Sequence, residues 1–456
     1  MLMSDPGGPV GPGNRAHGAG QVSRASIVVA ALSTVVEWYD FTLYLFMTAV
    51  LSRVFFGGGA DSILSTLAVF AISYFMRPLG ALVFGHVGDL LGRRAVLLVS
   101  MSFMTAAMVL TALLPTREHI GAAAAVLLLV LRCAMAFSVG GEYTGVMTYL
   151  VESSAPAHRG LVASVASAAS EIGALLAVGM TALTTALLST ADLNSWGWRL
   201  PFLFGALLAA STLVARTFLS ESPEFERSVR TRTTVRSPLA TTLRYQRPAV
   251  LRVFVISALG SITYYVGVTY VPTYLTSVGG FAESDALWLS TVAAAAVIAI
   301  TPVAGLLADH FGRRPTLFLF GGLAAALSTA MFVLMDTGRP VTALTGAAVL
   351  ALIAGGVSAV GASASPEQFA TANRLSGLGF ATVATTIFGG LTPYISQALV
   401  TATGLNLIPG VMVMVVALAA LPVLWNLPET AYRRMTPHVK QDMHTPTTQS
   451  VTSVDN

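Results

Sequence analysis

The chain has 456 residues, 55% of them hydrophobic and only 10% charged, with a mean hydropathy of +0.74. Soluble globular domains carry about 25% charged residues, so this composition excludes one and makes lipid the solvent. The net charge of +4 is spread over alternating loops, a topology signal rather than a nucleic-acid footprint, and a single cysteine, Cys133, excludes an internal disulfide.

In lipid every backbone donor and acceptor must be satisfied internally, which leaves helices or a closed barrel. The apolar runs here are about 20 residues or longer, the length of a spanning helix and not of a barrel strand. Residues 1–22 are rich in Gly and Pro, lack a signal-peptide core, and are read as a disordered cytoplasmic tail. The first half, residues 23–219, holds six expected spans: 27–50, 63–84, 95–114, a fourth ending at 151, 161–188 and 200–219. Residues 116–119 make a short turn into the fourth span, and 152–160 read as a polar loop. Residues 220–248 hold nine Glu and Arg residues and are expected to be a cytoplasmic linker. Spans seven to twelve follow at 249–277, 286–308, 316–335, 341–363, 375–400 and 407–427, and residues 428–456 form a polar tail. The sequence therefore predicts an all-α integral membrane protein of twelve helices in two six-helix bundles.

One set of loops holds Arg93, Arg94, Arg159, the linker arginines, Arg313, Arg314, Arg374, Arg433 and Arg434. The opposite set holds only Arg53, Arg117, Arg199 and Arg339. The positive-inside rule then places both termini in the cytoplasm of a cell-membrane protein.

A ten-residue pattern, G-x-x-[GA]-D-x-x-G-R-R, occurs twice, at Gly85–Arg94 and at Gly305–Arg314. Each copy lies between two apolar segments and is expected to be a short charged hairpin. Asp89 and Asp309 are placed to cap a helix N-terminus and to pair with Arg93, Arg94, Arg313 or Arg314 across a bundle interface. Gly85, Gly88, Gly92, Gly305 and Gly312 permit close helix approach and a tight turn. The pair reads as a conformational latch. Glu221-Ser222-Pro223 and Pro428-Glu429-Thr430 rhyme likewise at the ends of the two halves, the internal repetition of transporters that rock two bundles about a central site.

Charges at membrane depth cost several kcal/mol unless they are paired or functional. Glu37 and Asp40 share a face of the first span, while Glu142 and Glu171 lie about ten residues, roughly 15 Å, inside the fourth and fifth. Arg77 and Arg132 are expected to be the strongly basic residues at that depth. These groups read either as buried ion pairs or as proton carriers (Glu142, Asp40, Glu37, Glu171) beside arginines that meet a substrate carboxylate. A carboxylate whose neighbouring arginine moves away changes its proton affinity, and Glu142 with Arg132 or Arg77 is the preferred switching pair. Glu37 and Asp40 have a bland alternative, a like-charged pair holding one proton, and Glu171 an alternative role in tuning substrate choice. Trp38, Tyr39, Tyr143, Tyr264 and Tyr265 are the aromatic candidates for an organic pocket, and Pro272 can kink span seven. There is no H-E-x-x-H, no C-x-x-C and no Walker motif, and Lys440 is the one lysine. No metal, cofactor, ATP-driven or hydrolytic chemistry is therefore expected.

The repeated loop resembles the signature of the major facilitator superfamily. Glu37-Trp38-Tyr39-Asp40-Phe41, Met76-Arg77-Pro78-Leu79-Gly80, Gly140-Gly141-Glu142-Tyr143-Thr144-Gly145 and Trp196-Gly197-Trp198-Arg199 narrow the resemblance to its metabolite:proton symporters, most similar to the proline/betaine type. The resemblance implies a symporter, a monomer taking a small organic solute and protons, best a zwitterion such as proline or betaine. The alternatives are a mono- or dicarboxylate as solute and, from another class, a non-transporting membrane sensor.

Overall fold

The computed structural model describes residues 24–58, 60–231 and 237–431. Among them there is no strand, and twelve helices are long and apolar enough to cross a membrane. In chain order the first bundle has α1 (Val28–Phe46), α2 (Asp61–Leu91), α3 (Arg93–Leu113), α4 (Ala123–Ser153), α5 (Pro156–Leu187) and α6 (Arg199–Thr217). The second has α7 (Arg247–Thr269), α8 (Trp288–Phe311), α9 (Arg313–Met335), α10 (Pro340–Glu367), α11 (Thr371–Thr403) and α12 (Ile408–Trp425). The expected tail at 1–22, and residues 432–456 of the one expected at 428–456, lie outside the described residues.

Small residues set the helix crossings that matter for the site. A Cβ on Gly80 would strike the Phe137 carbonyl, and one on Gly140 the Arg77 carbonyl, so α2 and α4 pack backbone to backbone. Gly173 meets Val35 and Tyr39 of α1 in the same way, which sets Glu37 and Trp38 beside Ser170 and Glu171 of α5. Between the bundles, Gly160 and Gly305 press reciprocally on each other's carbonyls, with a Cβ on either 2.5–2.7 Å from the other's oxygen. Gly85 and Gly379 do the equivalent for α2 and α11, at 2.8 Å from the Leu375 carbonyl and 2.9 Å from the Ala81 carbonyl.

Four local expectations change. The repeated pattern is not a hairpin loop: Gly85–Leu91 and Gly305–Phe311 are the last turns of α2 and α8, and one glycine makes each corner. Gly92 at φ +106° and Gly312 at φ +107° occupy the left-handed region that a side chain rarely adopts. The charges stay helical because they are paired, so nothing forces the chain to unwind into water. The polar loop at 152–160 shrinks to a corner, since α4 runs through Glu152 and α5 starts with a short 3-10 turn at Pro156–His158. The linker carries two short helices, Pro223–Arg230 and Pro238–Tyr245, each opened by its proline. In span seven a π-helical turn, Tyr265–Thr269, leads into a short helix Val271–Ser277 with Pro272 in its first turn, so the proline costs no internal bond.

Candidate functional site

A central cavity of about 180 Å³ lies between the bundles, walled by α1, α2, α4, α5, α7, α8, α10 and α11. Since one water needs about 10–15 Å³ on this measure, the space suits one small solute. Its charged lining residues are Glu37, Arg77 and Glu171, and its aromatic ones Trp38, Tyr143, Tyr264 and Tyr265. Arg77 stacks over the rings of Phe41 (4.7 Å) and Tyr74 (4.8 Å). Among the described residues no carboxylate lies within ion-pair distance of it. Glu37 is 3% exposed and shares the cavity wall with Arg77. Glu171 accepts a hydrogen bond from the Tyr264 hydroxyl, which joins α5 of one bundle to α7 of the other.

The other deep charges are paired away from this space. Asp40 meets Arg132 at 2.8 Å, with the guanidinium 4.7 Å over the Tyr44 ring, in a narrow crevice that shares Glu37, Arg77 and Val139 with the cavity. Asp40 is thus ion-paired, while Glu37 shares the cavity wall with Arg77. Glu142 is fully buried behind the cavity wall and pairs with Arg216 of α6, not with Arg132 or Arg77. Ser100 donates to the same carboxylate at 2.7 Å, and Arg216 also donates to Ser33 Oγ at 3.0 Å, so the pair ties α1, α3, α4 and α6 together. Arg216 is a third deep arginine that the sequence reading missed, because it stands in the last turn of an apolar span where charge reads as a helix end. Tyr39 also lies off the cavity: it is buried, and its hydroxyl donates to the Pro201 carbonyl at 2.7 Å.

Both ends of the cavity are crossed by contacts between the bundles. On the arginine-rich side Asp89 accepts from the backbone N–H of Leu375 (3.2 Å) and Ser376 (2.8 Å), capping α11 of the opposite bundle. Asp309 does the same for α5, accepting from Gly160 and Leu161 at 2.8 Å each. Arg93 binds Glu152 through two 2.9 Å bonds and reaches the Thr371 carbonyl across the interface at 2.6 Å. Arg374 completes that cluster by donating to Glu152 at 2.6 Å. The second copy repeats it: Arg313 binds Asp309 at 2.8 Å and Glu367 through two 3.2 Å bonds.

The rhyming segments close the pattern. Glu221 accepts from the N–H groups of Arg93 and Arg94 at the start of α3, and Glu429 from those of Arg313 and Arg314 at the start of α9. Ser222 and Thr430 donate to Glu152 and Glu367, each at 2.5 Å. Glu152 and Glu367 went unrecognised in the sequence, although each stands seven residues before the arginine, Arg159 or Arg374, that opens the next helix. The side chain of Arg94 points outward, donating to the Thr217 carbonyl at 2.8 Å, and that of Arg314 stacks 5.2 Å over Trp425, so neither crosses between bundles. On the opposite side the closure is lighter. The Tyr74 and Tyr265 hydroxyls meet at 2.9 Å, and the Trp38 and Tyr264 rings meet edge to face at 5.6 Å.

This arrangement is a polar and aromatic cavity enclosed between two bundles, with room for one small solute. Comparison with known proteins agrees. The sequence profile of the Sugar (and other) transporter family matches residues 26–241 and again 225–437, one match per bundle. The Proline/betaine transporter of Escherichia coli (strain K12) is 32% identical over 422 residues, covering 90% of this chain and 84% of the relative. The Ectoine/proline transporter ProP of Corynebacterium glutamicum is 32% identical, covering 86% and 81%. The Alpha-ketoglutarate permease of Escherichia coli (strain K12) is also 32% identical, covering 82% and 87%. Among solved structures, the proton:xylose symporter XylE superposes with a TM-score of 0.72 at 19% identity, over 90% of this chain and 97% of that one, which shows the shared fold. The chain belongs to the Sugar (and other) transporter family of the major facilitator superfamily: it is a multi-pass membrane transporter, not an enzyme.

Proposed function

We propose that this protein is a proton-coupled symporter that imports a small zwitterion by alternating access, with its arginine-rich side in the cytoplasm. One observation carries the reading: among the described residues, the cavity between the bundles presents Arg77 without a carboxylate in ion-pair contact and two carboxylates, Glu37 and Glu171, without a cationic one. Arg77 takes the carboxylate of the solute, and the acidic and aromatic walls take its cationic end. A dicarboxylate would add two negative charges to a space that already holds more acids than bases. The names of the proline, betaine and ectoine transporters among the relatives support the same class.

Rocking is favoured by matched contacts in the two halves, which let one closure break as the other tightens. Glu37 is the proposed proton carrier. In the empty site Arg77 balances its charge; a solute carboxylate on Arg77 takes that balance away, and a proton on Glu37 restores it. Solute and proton then load together. Asp40, held by Arg132 in the adjoining crevice, is the relay next in line.

Uptake into proteoliposomes tests this. An imposed pH gradient, alkaline inside, is expected to drive proline accumulation, and Glu37→Gln to abolish that accumulation while labelled solute still exchanges, because exchange moves no net proton. Accumulation indifferent to the gradient, or unchanged in Glu37→Gln, refutes the coupling. Uptake of dicarboxylates alone overturns the solute class, and failure of proline and betaine alike to move refutes the zwitterion reading.

A further inference from the structure

The α5 wall of the cavity carries two polar groups that the reading above leaves unused. Ser167 and Glu171 are one helical turn apart on the same face, 8% and 5% exposed, and both line the cavity. Among the described residues the Ser167 Oγ has no hydrogen-bond partner, and the neighbouring Ser170 hydroxyl is spent on the Ser167 carbonyl. Glu171 accepts from Tyr264 through Oε1, and among the described residues its Oε2 accepts nothing. A buried hydroxyl without a partner is costly unless something completes it, and one turn away a carboxylate lines the same cavity with one oxygen unbonded.

We infer that Glu171, with Ser167, selects solutes whose cationic nitrogen carries N–H, so that the preferred zwitterion is a primary or secondary amine, or an amidine, and not a quaternary ammonium. This inference rests on the zwitterion reading above and narrows it. An N–H cation donates one bond to Glu171 Oε2 and a second to Ser167, and satisfies both at once. A fully methylated nitrogen has no proton to give, and its methyl groups would cover the same oxygens and leave them dry and unpaired. The aromatic walls attract either kind of cation, so they do not replace the lost hydrogen bonds. Trp38, Tyr264 and Tyr265 meet one another edge to face, at 5.6 Å and 67° and at 5.8 Å and 76°, so these faces are partly occupied by neighbouring rings. Because Tyr264 belongs to α7, the carboxylate that takes the amine is also the one that bridges the bundles at the cavity. A solute N–H on Oε2 therefore reads out directly at the contact between halves.

The matched probes are proline and its N,N-dimethyl derivative, which share a ring and a carboxylate and differ in N–H. Equilibrium binding to the reconstituted full-length protein is expected to favour proline by at least about tenfold, as for sites built to hydrogen-bond a group that the analogue lacks. Glu171→Gln is expected to narrow the preference to about threefold or less, and Ser167→Ala to narrow it part of the way. Equal binding of the two probes by the unaltered protein overturns the inference, whether or not any variant folds, and so does a Glu171→Gln protein that keeps the full preference. If both probes bind without discrimination, the zwitterion reading stands and only this inference fails; if neither binds, both fail.

Discussion

Asp89→Asn isolates the closure on the arginine-rich side. The carboxylate, 1% exposed, accepts two backbone N–H groups at the start of α11 and sits 3.3 Å from Arg93. Asparagine keeps one acceptor oxygen but turns an amide N–H₂ toward the second backbone donor. One charge-assisted bond, worth about 1.5–3 kcal/mol, is lost, and the Arg93 contact weakens. Relief from burying a charge offsets part of this, and asparagine is itself a fair helix cap. The net is about 2 kcal/mol against the closed state, or about 30-fold in the equilibrium between states. The cavity is not touched, so solute affinity should stay within a few-fold while transport slows. In a Cys133→Ser background, a cysteine at Ala362, which lines the cavity, reports the change by alkylation from the arginine-rich side. The rate should rise by about the same 30-fold if it follows the open population, and Asp309→Asn should match it, since its two bonds to α5 are equivalent. An Asp89→Asn protein that loses solute binding while its alkylation rate is unchanged refutes the reasoning.

Glu142→Gln leaves the Arg216 guanidinium, 1% exposed, without its counter-charge, and should cost about 3–5 kcal/mol of stability, seen as a large fall in thermal unfolding temperature in detergent. A variant as stable as the parent that nonetheless loses pH-driven accumulation would instead put Glu142 among the proton carriers. Tyr265→Phe removes the hydroxyl contact to Tyr74 and should favour opening on the opposite side by about 1 kcal/mol, or about fivefold, read as faster alkylation of a Thr386→Cys reporter from that side. No change in that rate would mean that the ring contacts, not the hydroxyls, hold the closure.

Twelve apolar runs, the alternation of arginine between loops and the twofold G-x-x-[GA]-D-x-x-G-R-R pattern made the architecture legible from the sequence alone. Each of these is a local or periodic property: a span needs only length and apolarity, and a corner at φ +106° needs only glycine. The roles of Asp89 and Asp309 as helix caps were readable for the same reason, since a charged group beside a helix end has few other uses. Pairing at depth was not readable. Four carboxylates and two recognised arginines admit many matchings, and which pair forms depends on helix rotation and on crossings set by Gly80, Gly140 and Gly173, none of which is periodic in the chain. Folding assigned Glu142 to an unrecognised Arg216, Asp40 to Arg132, and left Glu37, Arg77 and Glu171 facing the cavity. Sequence order determined which helices exist and where their charged ends lie; the rotation of each helix about its own axis, fixed only when all are packed, decided which of the buried charges face the cavity.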